Sequence, residues 1–420
     1  MTPLRFTFVI ARYGTEILGG AERHARAVAE RLAARSHDVR VLTTCATSYR
    51  TWRNEYQAGV TTEGGVTIER FAVERGRRAS EVFLKQLTHS FPSSSVLSRA
   101  WVRAQGPDVP ALLQRLSEER AQRDLFVFFQ LLSCTTVTGL PRVAERSVLI
   151  PLVHRERGVT GRIAVETLAR PAALFANTDE EARTIREVAA ACAPIRVVAV
   201  GLDAPMPAGS SAKPVQPYLL FMGRTGKMKP LLRTWTALTT SSSLPPLSVN
   251  GRSVPWADVQ LVITGEESSD AAGLPNVVQR GFVDDHTRWD LLRGAEALIN
   301  PSLYESLSLI LLEAWTVERP VVVNARCDVT TGLTARAQGG IVSLWFSLSQ
   351  FMYVSHSRGK SIAERMEFAF CDIQHGRRYI HTLDRKSALK KRSSQASCAT
   401  RKIQNPGSLR HITKGRPDDT

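Results

Sequence analysis

The sequence predicts an α/β protein made of two doubly wound domains that face each other across a cleft. Three observations lead there. Short apolar, β-branched runs alternate with helical periods along most of the chain, as in parallel sheets joined by crossover helices. The alternation pauses at residues 205–217, PMPAGSSAKPVQP, whose Pro, Ser and Ala mark a linker, and then resumes. The length, 420 residues, allows each half its own core.

Residues 1–204 read as the first domain. RFTFVIA (5–11) is a strand, and AERHARAVAERLAAR (21–35) a helix with Ala21, Ala25, Val28 and Leu32 on one face. Further strands are DVRVLTT (38–44), LFVFF (125–129), SVLIPLV (147–153), AALFAN (172–177) and RVVAV (196–200). Residues 218–342 form the second domain, with strands YLLFMG (218–223), VQLVITG (259–265), EALINP (296–301) and VVVN (321–324). Residues 239–256 read as a surface insertion. From residue 343 the composition shifts. SLWFSLSQFMYVSHSRGK lacks helical amphipathicity, so 343–420 is expected to be a divergent basic tail, in part without fixed structure or altered by a change of reading frame.

The net charge is +16, of which +10 lies in residues 336–420. The body is therefore only mildly basic, which suits an anionic ligand or a peripheral contact with an anionic membrane surface. The tail's KSALKKR is a bare charge run, read as a solvated face. Nucleic-acid binding would bring a recognisable module or aromatics interleaved with the basic residues, and neither is seen. There is no apolar run of spanning length and no leader-like start. Six cysteines are scattered without a CxxC pair, as expected of reduced thiols in the cytoplasm. No Asp–x–Asp or His/Cys cluster has metal-ligand spacing, so no metal or cofactor is expected.

Asn300–Asn324, NPSLYESLSLILLEAWTVERPVVVN, is the most informative stretch. An apolar strand leads into a polar turn, the turn opens an apolar helix, and Pro320 starts the next strand. Ser306 and Ser308 are small, and the amides of Ser306, Leu307, Ser308 and Leu309 fall near the first helical turn. There, unpaired N–H groups and the positive dipole end favour a phosphate. Glu305 and Glu313 stand eight positions apart across this junction. Carboxylates accept hydrogen bonds only, so both can hold sugar hydroxyls. Glu313 lies up to ~12 Å along the axis at 1.5 Å per residue, about the reach from a transferred sugar to a nucleotide ribose.

Other candidates also follow strands. Gly19 and Gly20 precede the first helix, where the backbone can approach an anion closely or make a simple tight turn. Glu22 and His24 are weaker candidates for the cleft mouth. Arg224 and Lys229, after YLLFMG, offer a planar fork and a compact point charge to an anionic ligand, with Lys227 a rival for the second role. His154 ends a strand and is structural or functional. Thr178 or Asp179 caps the following helix.

These residues resemble the nucleotide-sugar-dependent glycosyltransferases of family 4 (group 1), over about residues 4–340. The resemblance implies the GT-B architecture, a nucleotide-diphosphate sugar as co-substrate and transfer with retention to a glycan, lipid-linked or other hydroxyl acceptor. It assigns Glu305 to the donor sugar, Glu313 to the ribose, and Arg224 with Lys229 to the diphosphate. His154 would reach the transferred sugar, Gly265 and Glu266 would line the base, and Gly19 and Gly20 would meet donor phosphate or acceptor. The commonest family form has Gly where this chain has Ser306 and Ser308. A nucleotide-sugar epimerase on the same fold and a catalytically degenerate binding protein are the alternatives.

Overall fold

The computed structural model describes residues 2–343 except 18, 156–160, 203–204, 206, 208–215, 225–227, 242–245 and 250–251, with three strands beyond them. Domain 1 runs β1 (Arg5–Val9), α1 (Gly20–Ala33), β2 (Asp38–Thr44), β3 (Gly59–Glu63), β4 (Val66–Phe71), α2 (Glu81–Ser90), α3 (Ser95–Gln105), α4 (Pro110–Glu119) and β5 (Leu125–Phe129). It continues through α5 (Cys134–Gly139), β6 (Ser147–Ile150), α6 (Arg162–Leu168), β7 (Ala173–Ala176), α7 (Asp179–Val188) and β8 (Ile195–Val197). The sheet order is β3-β4-β2-β1-β5-β6-β7-β8, parallel except for the β3–β4 pair.

Domain 2 holds β9 (Tyr218–Gly223), α8 (Lys229–Thr240), β10 (Leu247–Val249), β11 (Arg252–Val254), β12 (Gln260–Gly265) and β13 (Val277–Gln279). Next come α9 (Asp285–Gly294), β14 (Ala297–Asn300), α10 (Leu309–Thr316), β15 (Val321–Asn324), α11 (Asp328–Ala337) and β16 (Gly340–Ser343). Its parallel sheet has the order β13-β12-β9-β14-β15-β16. Apart from edge strand β3, both sheets wind alike: the chain starts in the middle, steps outward on one side, then returns to fill the other. Each therefore reverses direction once, between β1 and β5 and between β9 and β14. Ligands of such sheets bind at that reversal, beyond the carboxyl ends of the strands.

Alternation across each strand builds a core on both faces. Phe126 and Phe128 enter one cluster of domain 1, while Val127 and Phe129 enter the other. In domain 2, Leu219 and Phe221 lie opposite Tyr218 and Leu220 in the same way. Residues 239–256 differ from the expected surface insertion. They include the antiparallel hairpin β10–β11, and Leu247 and Trp256 are buried, the latter edge-on to Trp235. Apolar residues within a Pro- and Ser-rich stretch were strong enough to fold it onto the core. The strands β17 (Gln350–His356), β18 (Met366–Asp372) and β19 (Arg377–His381) extend this hairpin into a five-stranded sheet. The linker and the remaining tail, 382–420, lie almost wholly or wholly outside the described residues. No helix among the described residues is long and apolar enough to cross a membrane.

The domains meet through α7 and α11. Arg336 grips Glu180 with both Nη atoms, at 2.6 and 2.9 Å. Gly332 makes room for that pair, since a Cβ there would lie 2.1 Å from Glu180 Oε1.

Gly265 is fixed by the β9–β12 register. Its φ is +107°, and an added Cβ would sit 2.5 Å from the Gly223 carbonyl oxygen. Gly265→Ala is expected to cost roughly 2 kcal/mol or more, whereas Gly273→Ala, with φ +73° and open space around it, should cost about 1 kcal/mol. Urea unfolding of the two variants checks the order.

Candidate functional site

The site is assembled at the reversal point of domain 2. Asn300 ends β14, and its side chain spans the following turn. Oδ1 accepts from Ser302 N at 2.9 Å, and Nδ2 donates to Ser308 Oγ at 2.9 Å. Asn324 at the end of β15 donates to the Pro301 carbonyl at 3.0 Å. Two strand-end amides thus set the path of the loop that carries Glu305. That carboxylate is half-buried, and burial raises its pKa. Hydrogen bonds from Ser302 and Asn300 and the charges of His154 and Arg224 act against the rise. Glu305, His154 and Arg224 are therefore together, drawn from both domains.

Helix α10 starts only at Leu309, so residues 305–308 are loop and the fully helical reach is an upper bound. Ser308 at its N-cap has φ +75°, the left-handed region that glycine occupies without strain. Its hydroxyl is spent on Asn300, and no side chain caps the first turn. The amides around Leu309 remain the natural place for a phosphate. Glu313 is 2% exposed. Its Oε1 accepts from Arg23 Nη2 at 2.6 Å and its Oε2 from Arg288 Nη1 at 2.5 Å. Arg288 comes from α9, and Arg23 from α1 of domain 1.

Across the cleft, His154 follows β6. Leu152 has φ +54°, unusual for a bulky side chain, and this aims its carbonyl at His154 Nδ1, 3.3 Å away. A carbonyl only accepts, so this contact places a proton on Nδ1. The ring lies 5.9 Å from that of Tyr304, the neighbour of Glu305. Behind it, the fully buried Glu181 accepts from Val153 N and Asn177 N, both at 2.7 Å, and so ties the ends of β6 and β7 together. Thr178 caps α7 by accepting from Glu181 N at 3.1 Å, and its hydroxyl donates to the Ser306 carbonyl at 3.3 Å.

The other expected residues are placed as follows. Arg224 is exposed, and its guanidinium lies 5.7 Å from the Tyr49 ring centre. Lys229 begins α8 and pairs with Asp270 at 3.6 Å, while Lys227 lies outside the described residues. Gly265 ends β12, and Glu266 pairs with Arg50 of domain 1 at 2.5 Å. Gly19 is the N-cap of α1, but the chain's own Glu22 carboxylate lies over it, held by Arg12 at 2.5 Å. An acid in the first turn satisfies the helix dipole, so only the open side of Gly20 is left for a ligand. His24 does not face the cleft mouth. It lies two positions past Glu22 on the core side of α1, edge-on to Phe129, and burial lowers its pKa to about 4. Among the described residues no His/Cys/Asp/Glu group could hold a metal ion.

Sequence reasoning missed Arg23, Arg288, Tyr49 and Glu181. The two arginines read as ordinary polar-face charges of α1 and α9. Glu181 is one of three acids opening α7, where the dipole alone accounts for a carboxylate. Asn300 had a visible signal, since an amide at a strand end beside a Pro-Ser turn is a natural loop tie.

Residues 216–342 match the family model described as "Glycosyl transferases group 1". The matched stretch coincides with the second domain. No curated protein matches the chain by sequence. Among solved structures, the chain is similar to WaaG, a glycosyltransferase involved in lipopolysaccharide biosynthesis, with 17% identity, a TM-score of 0.53, and coverage of 80% of this chain and 85% of that one. Anabaena HepE, solved with UDP-glucose, gives 14% identity, a TM-score of 0.51, and coverage of 79% and 82%. Sucrose-phosphate synthase from Thermosynechococcus elongatus gives 13%, 0.52, and coverage of 77% and 81%. At these identities the likeness establishes the shared GT-B fold of two facing Rossmann-like domains.

Burial raises the Glu181 pKa from 4.5 to about 7. The folded state then holds a proton that the unfolded state has released, so stability is lost as pH rises from about 4.5 to about 7. At 1.36 kcal/mol per unit the loss is about 3 kcal/mol. Glu181→Gln lacks this term. Urea unfolding at pH 5.0 and 7.5 should show the variant gaining on the wild type at the higher pH.

Proposed function

We propose that the protein is a glycosyltransferase that moves a sugar from a nucleoside-diphosphate sugar to a hydroxyl acceptor with retention of configuration. The observation that carries this reading is the pair Glu305 and Glu313 at the reversal point of the second sheet, flanking an uncapped helix start. Glu313 would receive the ribose hydroxyls, the amides near Leu309 the diphosphate, and Glu305 the hydroxyls of the sugar. A buried carboxylate oxygen has two lone pairs, and each oxygen of Glu313 spends one on an arginine. The ribose can therefore join the ion pairs once Arg23, which covers the carboxylate from domain 1, moves aside.

In the transfer, the acceptor oxygen bonds to the anomeric carbon as the bond from that carbon to the diphosphate oxygen breaks. The hydroxyl proton passes to the departing diphosphate, whose charge Arg224 is placed to stabilise. Lys229 would join it by releasing Asp270. His154, with its proton on Nδ1, sits beside Glu305 to orient the sugar. Glu305 would be the carboxylate beside the donor sugar, and its polar neighbours Ser302 and Asn300 suit a group that holds hydroxyls better than one that attacks carbon. This supports front-face transfer with no covalent glycosyl-enzyme. The HepE complex with UDP-glucose supports a donor of this class carrying a hexose, and WaaG, involved in lipopolysaccharide biosynthesis, supports a cell-surface glycan as acceptor.

Thermal unfolding with UDP, GDP, ADP and their glucose conjugates tests the donor site. At a hundred times the dissociation constant, one nucleotide should stabilise the wild type by about 2.7 kcal/mol, and Glu313→Ala should lose the shift. No shift with any of them would sink the reading. Glu305→Gln should keep nucleotide binding yet lower kcat/KM about 100-fold, the loss of a charged hydrogen bond to the sugar. NMR of the product should show the donor's anomeric configuration.

A further inference from the structure

Three guanidinium groups from both domains converge on one aromatic ring beside the cleft. Arg12 follows β1 and lies 5.2 Å from the centre of the Tyr49 ring, Arg50 lies at 6.0 Å, and Arg224 of domain 2 at 5.7 Å. Arg50 and Arg224 together hold the pKa of the Tyr49 hydroxyl below its ordinary value, Arg50 contributing most. The surroundings add to the positive charge. Residues 48–53 and 75–78 contain Arg50, Arg53, Arg75, Arg77 and Arg78 and no acid. All five are exposed, and the two loops touch where Arg77 Nη2 donates to the Tyr49 carbonyl at 3.4 Å.

The acids that answer these cations reach in from elsewhere. Glu22 holds Arg12 at 2.5 Å and Glu266 holds Arg50 at 2.5 Å, while Asp108 and Glu81 hold Arg75 and Arg77. The Arg50–Glu266 pair joins the two domains, and Arg50 is 62% exposed, so water and a competing anion can displace it easily. Like charges gathered around one hydroxyl repel one another unless an anion lies among them, and guanidinium forks fit phosphate oxygens in pairs. The first reversal point, between β1 and β5, opens on the same side.

We propose that Arg12, Tyr49 and Arg50, with Arg224 at their edge, form a subsite for a phosphate group carried by the acceptor. This deepens the reading above and rests on it, because the donor must occupy Glu305 and Glu313 for this cluster to face an acceptor. Arg224 then lies between two anions, the departing diphosphate on one side and the acceptor phosphate on the other. Glu266 serves as the stand-in anion while the subsite is empty.

The test is calorimetric titration of the full chain with inorganic phosphate, glucose 6-phosphate and glucose, with and without saturating UDP, GDP or ADP. The phosphates should bind in both conditions, glucose should not, and Arg50→Gln and Tyr49→Phe should weaken phosphate binding about tenfold or more. Tyr49→Phe should leave nucleotide affinity within about twofold, since Tyr49 touches neither the Glu313 ion pairs nor Glu266 on the base side. Phosphate that binds only without nucleotide would overturn the proposal and give the arginines to the donor diphosphate. Failure to bind phosphate, or binding indifferent to both substitutions, would also overturn it. If no nucleotide binds but phosphate does and needs Arg50, the donor assignment fails while the anion subsite stands.

Discussion

A carboxylate removed from water must be matched by positive charge, and Glu313 is the point at which this protein meets that constraint. Arg23 reaches it from α1 of one domain and Arg288 from α9 of the other. Truncating one partner of such a buried pair strands a charge and costs several kcal/mol. This one side chain thus ties α10 to both domains, alongside the Arg336–Glu180 pair between α11 and α7. A carboxylate held by two cations is also fixed in orientation, which a hydroxyl-binding group requires.

The remainder of the cleft follows from how parallel sheets end. Both sheets reverse winding once, and both reversal points open toward the cleft. Side chains just past the strand ends are placed by short loops, and several of those loops are held in strained or tied conformations. Leu152 and Ser308 have positive φ, and Asn300 and Asn324 bridge their turns. Such strain persists where surrounding packing over-determines it, and here it flanks His154 and Glu305. Electrostatics then divides the labour. Carboxylates raised by burial, Glu181 and Glu305, lie beside His154, whereas the exposed arginines gather around Tyr49, where anions can enter from water.

The fold was largely legible in the sequence because the central strands are continuous apolar runs. β5 and β14 are buried on both faces and read at once. β3, GVTTE, is exposed throughout and carries no alternating apolar pattern. β13 and β16 are short and only partly buried or rich in Gly. The site was legible where one loop holds it: Glu305, Ser308 and Glu313 sit within one β–loop–α unit. Arg23 could not be read this way, since it and Glu313 are 290 positions apart. The φ of +75° at Ser308 explains why glycine is the common residue there and shows what the serine gains in exchange, a hydrogen bond to Asn300.

The most direct test is the affinity of the nucleoside diphosphate that binds, compared with its 2′,3′-dideoxy analogue, in the wild type and in Glu313→Gln. Two hydrogen bonds to a buried charged carboxylate are worth about 1.5–3 kcal/mol each. Loss of the ribose hydroxyls should therefore weaken binding at least about tenfold in the wild type and far less in the variant. Equal affinities for the two nucleotides in the wild type would contradict the assignment of Glu313 to the ribose.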